Sequence, residues 1–173
     1  MKFTIVRRFA AGAAAGLALT LSAATFAGTA HADSNSASAP MGRGGYNMQS
    51  NVWKCAGPFP YGNCGWQTSA MAWHNAAHLT MTSITNQATF HSIGLAITVT
   101  CGGGSGCSIQ GTGTANDVTT TPQVNSNTWI ASMTGSMYVP AGALTRVCSA
   151  ASGYSTPLGI HSNGVVTCAG SAV

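Results

Sequence analysis

Two histidines four residues apart, in "MAWHNAAHLTM" from Met71 to Met81, are the first residues whose spacing could do chemistry. A metallopeptidase helix needs a glutamate beside the first histidine to activate the attacking water, and Asn75 offers only an amide there. On a helix, Met71, His74, His78 and Met81 share one face, and two imidazoles with two thioethers suit copper, Cu(I) above all. On a strand the same histidines stand ~13 Å apart, too far to share an ion. The copper reading therefore depends on local helix. The neighbouring "LTMTSIT" has strand character, and methionines at this spacing most often only pack a core.

Other catalytic constellations lack parts. Glycoside hydrolysis ordinarily takes two carboxyl groups flanking the bond, whereas Asp117 is the one acid after residue 52 and the chain contains no glutamate. No Gly-x-Ser-x-Gly elbow is present, since "GGSGC" fails at its last position. The "GGGSG" run lacks the lysine of a phosphate loop. Asp117, in "TANDVTTT", reads as a turn former. These absences point to a protein that binds rather than catalyses, with no cofactor. Aromatic side chains are the remaining candidates. Trp53, Tyr61, Trp66 and Trp73 crowd around Cys55 and Cys64, either as core packing or as an exposed carbohydrate-binding platform. Trp129, in phase with Met133 and Met137, is expected in the core.

The elements that must position these residues begin after a leader. Lys2, Arg7 and Arg8 precede an apolar run that ends near "AHA", Ala30–Ala32, the pattern of a signal peptide over 1–32 with cleavage before Asp33. Secretion to the extracellular space is implied. Residues 33–173 then carry Arg43, Lys54 and Arg146 against Asp33 and Asp117, too few cations for a nucleic-acid surface. No apolar run there is long enough for a membrane span. Six cysteines, Cys55, Cys64, Cys101, Cys107, Cys148 and Cys168, are an even number in an exported chain and read as three disulfides. Neighbour pairing, 55–64, 101–107 and 148–168, is the expected connectivity among fifteen.

Residues 33–52, rich in Ser, Asn, Gly and Pro, read as an extended flexible arm, with Met41, Arg43, Tyr46 and Met48 as anchors for a partner. From Trp53 the pattern is β. "TWIASMTGSMYV", 128–139, alternates apolar and polar residues, "LAITVTC", 95–101, is rich in β-branched residues, "PAG", 140–142, makes a turn, and Asn163-Gly164 suggests a two-residue hairpin. Short strands and frequent turns predict an all-β domain over 53–173, a small antiparallel sandwich of jelly-roll type stapled by three disulfides.

Leader, small sandwich and long arm together look like secreted actinobacterial proteins. In architecture they resemble the small adaptor subunits of umbrella-shaped antibacterial toxin particles. That resemblance implies an adaptor whose arm and sandwich surface assemble with another secreted protein, a toxin or lectin-like subunit. The alternative expectation is a free-standing module binding a cell-surface glycan through Trp53, Tyr61, Trp66 and Trp73. Copper at the Met/His stretch is the minor one.

Overall fold

The computed structural model describes residues 32–55, 62–102, 109–110 and 114–170. The expected leader, apart from Ala32, lies outside these residues, as do Tyr61 and Cys107. Among the described residues there is no helix. The first strands are β1 (Ala32–Pro40), β2 (Tyr46–Cys55), β3 (Gly62–His74), β4 (Ala77–His78), β5 (Met81–Ile93) and β6 (Ile97–Cys101). There follow β7 (Ile109–Gln110), β8 (Thr114–Ala115), β9 (Asp117–Thr120), β10 (Gln123–Thr128), β11 (Ile130–Val139), β12 (Leu144–Ser155) and β13 (Ile160–Gly170).

These strands make two antiparallel sheets. One has seven strands in the order β1-β2-β3-β11-β6-β8, with β4 hydrogen-bonded to β3. The other has six, β13-β12-β5-β9-β7, with β10 on β5. Period two explains the inner faces: Met48, Ser50, Val52 and Lys54 on β2 and Cys64, Trp66, Thr68, Ala70 and Ala72 on β3 are all buried. Residues of both sheets meet in two apolar clusters. Trp66, Phe90, Met133, Met137 and Val147 belong to one, and Met41, Met48, Met81, Ile84 and Ala151 to the other. Trp66 meets Phe90 edge-on at 4.9 Å, and burying each ring is worth about 2–3 kcal/mol.

Between the clusters lies a buried polar layer. Asn86 Nδ2 donates to Thr68 Oγ1 at 3.0 Å, Ser149 Oγ donates to Asn86 Oδ1 at 3.0 Å, and Ser50 Oγ donates to the Ser149 carbonyl at 2.8 Å. Thr68 and Ser50 belong to the seven-stranded sheet and Asn86 and Ser149 to the other, so the Asn86–Thr68 and Ser50–Ser149 bonds cross the interior, and the Ser149–Asn86 bond joins them within one sheet. Without such partners these groups could not be buried cheaply.

Several expectations are corrected. The segment 33–52 is not a free arm. β1 and β2 pair in register from Ala32↔Cys55 to Pro40↔Asn47 around a glycine turn, and the expected body boundary at Trp53 falls inside β2. Met41 and Met48, expected as partner anchors, are core residues, 1% and 0% exposed. Polar residues at inward positions, Ser50 and Lys54, hide the alternation that makes β2 a strand. β1 is held because its small Ala37 and Ala39 pack against the methionine-rich cluster. Asn35 Nδ2 also reaches the Cys168 carbonyl of β13 at 3.1 Å.

Residues 71–81 are strand, turn and strand, not helix. Asn75 and Ala76 both take positive φ, 47° and 69°, which is the geometry of a two-residue hairpin turn. Asn163-Gly164 does not turn the chain. It forms a bulge within β13, where the register with β12 shifts between Ala151 and Gly153, and the reversal comes instead at Thr156–Gly159. Trp129 leaves the phase of Met133 because it sits at the bend where the chain passes from β10 in one sheet to β11 in the other.

The disulfides Cys55–Cys64 and Cys148–Cys168 are present as expected, the second joining direct register partners on β12 and β13. The expected Cys101–Cys107 pairing involves a residue outside those described. No helix among the described residues is long and apolar enough to cross a membrane.

Candidate functional site

Because β2 and β3 turn their odd-numbered residues outward, the outer face of the seven-stranded sheet can be read row by row. Ser34, Trp53, Gln67 and Thr134 are cross-strand neighbours, followed by Ser36, Asn51, Ser69 and Ser132, then Ser38, Gln49, Met71 and Ile130. Asn47, Trp73 and His78 make the last row. Successive rows are ~7 Å apart, two residues of strand rise. No charged residue belongs to these rows. Asp33 and Lys54 face inward, Arg43 is in the β1–β2 turn, and Asp117 and Arg146 lie on the other sheet.

A groove of about 640 Å³ runs along this face, with Trp53 at one end and Trp129 at the other and Asn51, Gln67, Ser69 and Ser132 among its lining. Trp53 is 38% exposed. Its ring edge lies 3.4 Å from where a Cβ on Gly65 would stand, so the indole rests on the backbone of the neighbouring strand. A larger residue at 65 would lift it. The floor is partly preorganised: Gln49 Nε2 donates to Asn51 Oδ1 at 2.9 Å, and Asn51 Nδ2 donates to Ser69 Oγ at 3.2 Å. The Gln67 amide makes no side-chain hydrogen bond among the described residues, which leaves both its donor and its acceptor to solvent or ligand.

At the far end His78 stacks on Trp129, centroids 3.5 Å apart and 6° from parallel, while Trp73 lies 4.6 Å from His78 and 6.1 Å from Trp129. Ala72 N–H donates to the Trp129 carbonyl at 2.9 Å and fixes the bend on β3. The hairpin turn at Asn75-Ala76 is what brings His78 back beside Trp73.

Of the residues expected from sequence, Trp53 and Trp73 do lie on this face. Trp66 does not: it is 1% exposed and packs in the core. Tyr61 is outside the described residues. The copper set is dispersed. His74 points to the inner side, where it stacks on Tyr46 at 4.4 Å, His78 faces the outer side with Trp73, and Met81 is fully buried. Among the described residues no three His, Cys, Asp or Glu side chains gather as a metal site. Arg43 is exposed in the glycine turn and Tyr46 is half-buried. Sequence reasoning missed Trp129, Asn51, Gln67 and Ser69. The signal that finds Asn51, Gln67 and Ser69 is the odd-numbered face of 46–55 and 62–74.

The second sheet holds the few charges. Asp117 is the first residue of β9, not a turn, and its Oδ1 lies 2.6 Å from His91 Nδ1 on β5. Arg146 is the register partner of His91 on the other side. Lys54, nearly buried, lies 3.4 Å from Asp33 Oδ2 and donates to the Cys55 carbonyl at 3.3 Å.

No protein-family model, no curated protein and no solved structure matches this chain.

Proposed function

We propose that this is a secreted, non-catalytic binding protein, a disulfide-stapled β-sandwich that holds an uncharged glycan on the outer face of its seven-stranded sheet. The observation that carries the reading is the composition of that face. It combines an indole packed against Gly65 with amides and hydroxyls and has no charged residue in any row. A pyranose offers an apolar ring face to an aromatic and a rim of hydroxyls to amides, and needs no counter-charge. The two shared apolar clusters and the buried polar layer support the sandwich. The leader pattern and the disulfides support export.

Retention of the purified protein on cellulose, chitin, xylan and other neutral polysaccharides tests the reading. Trp53→Ala should release it while leaving thermal unfolding within about 0.5 kcal/mol of the parent, as expected for a surface position. Failure of the parent to bind any neutral polysaccharide in the panel overturns it.

A second reading, assembly with another exported protein as in a secreted antibacterial toxin complex, is favoured by an apolar end on the six-stranded sheet. Ile93 and Leu144 are direct cross-strand partners, 47% and 45% exposed, and Leu95 beside them is 49% exposed. In this reading the arm's methionines play no part, since both lie in the core. A partner that co-purifies with the parent from culture supernatant and is lost from Leu144→Asp would support it.

A further inference from the structure

The groove is longer than one sugar, and its two ends are both aromatic. From the Trp53–Gln67 row to the Trp73 row, beside which Trp129 lies, is six residues of β3, ~20 Å of strand rise. A single pyranose covers about one row. We infer that the ligand is an internal stretch of a linear β-1,4-linked chain of neutral pyranoses, lying along β3 and stacked at one end on Trp53 and at the other on Trp129. This inference rests on the glycan reading of the same face.

Three features favour a flat, extended chain over a terminal sugar. First, a sheet gives a floor of parallel rows rather than a closed cup, and a ribbon-like β-1,4 chain presents its rings to such a floor one after another. Second, the platforms face the groove from opposite ends of one hollow. His78 backs one face of the Trp129 indole at 3.5 Å, and Trp129 is part of the lining of the hollow. Third, the hydrogen-bonding groups lie between the platforms. Asn51 and Ser69 are fixed by the relay from Gln49, and Ser132 follows in the same row. A chain spanning the groove meets all of them, whereas a monosaccharide on Trp53 meets Gln67 and its nearest neighbours alone. Each added sugar up to the far platform therefore adds contacts without adding rigid-body association cost.

Calorimetric titration with cello- and chito-oligosaccharides from the disaccharide to the hexasaccharide tests this. Affinity should rise at least tenfold over the series in at least one of the two ligand families. Trp129→Ala should remove that rise. Because Trp129 sits at a bend and its loss could disturb β11, Ser132→Arg provides an independent variant that obstructs the middle of the groove. It too should abolish the gain with length. If the disaccharide binds as tightly as the hexasaccharide, or if both variants keep the length dependence, the extended-chain inference is wrong while the glycan reading stands. If the parent binds neither these oligosaccharides nor any neutral polysaccharide, both fail.

Discussion

Asn86→Ala should be the most damaging polar substitution in the interior. The side chain is 0% exposed and makes two hydrogen bonds, to Thr68 on the opposite sheet and from Ser149 on its neighbour strand. Each bond contributes about 1 kcal/mol net, and its loss leaves the hydroxyls of Thr68 and Ser149 in a layer closed to water. Those two residues are 1% and 0% exposed, so solvent cannot readily replace the amide. Summing the lost bonds and the milder end of the orphaning cost gives roughly 2–4 kcal/mol. With a urea slope of about 2 kcal/mol/M for a domain of this size, the unfolding midpoint should fall by roughly 1–2 M. Trp66, beside Phe90 in the core, supplies a fluorescence signal for the titration, run with disulfides intact. A double-mutant cycle with Thr68→Val isolates the bond between the sheets and should show coupling of about 1–2 kcal/mol. A midpoint shift below about 0.3 M, or strict additivity, would refute the idea that this layer ties the sheets together.

Other expected outcomes are simpler. Ala76→Gly should stabilise the chain by about 0.5–1 kcal/mol in the same titration, because Ala76 is held at φ 69° where a Cβ is unfavourable. Replacing Cys148 and Cys168 together by serine should cost about 3 kcal/mol, from the loop of 20 residues' separation that the bond closes. Asp33→Ala should lower the melting temperature by a few degrees, since Lys54 is nearly buried and loses the carboxylate 3.4 Å from its ammonium. Lys54→Met in the Asp33→Ala background should restore most of that loss. Gly65→Val should weaken glycan retention without unfolding the protein, by displacing the Trp53 ring that rests on it.

The sequence disclosed strands where apolar residues alternate without interruption. β11 shows this best: Ala131, Met133 and Met137 are buried and Thr134 and Tyr138 exposed, as the pattern of 128–139 implies. β6 follows for the same reason. β2 was hidden because two of its inward positions are Ser50 and Lys54, whose burial depends on partners far away in the chain, Ser149 and Asp33. Composition alone made 33–52 look unpacked. The Asn163-Gly164 pair misled in another way. Glycine at positive φ serves a bulge as well as a turn, and only the register with β12 tells them apart. Of the groove, Trp53 and Trp73 were legible as aromatics near a disulfide. Trp129 was not, because its phase belongs to a straight strand and the chain bends there. The neighbouring amides and hydroxyls have no motif and become a surface only when three strands align.

The absence of formal charge from the broad face has a consequence for where such a molecule can work. Contacts made there carry no ion-pair contribution for dissolved salt to weaken, so adhesion should persist almost unchanged from fresh water to brine.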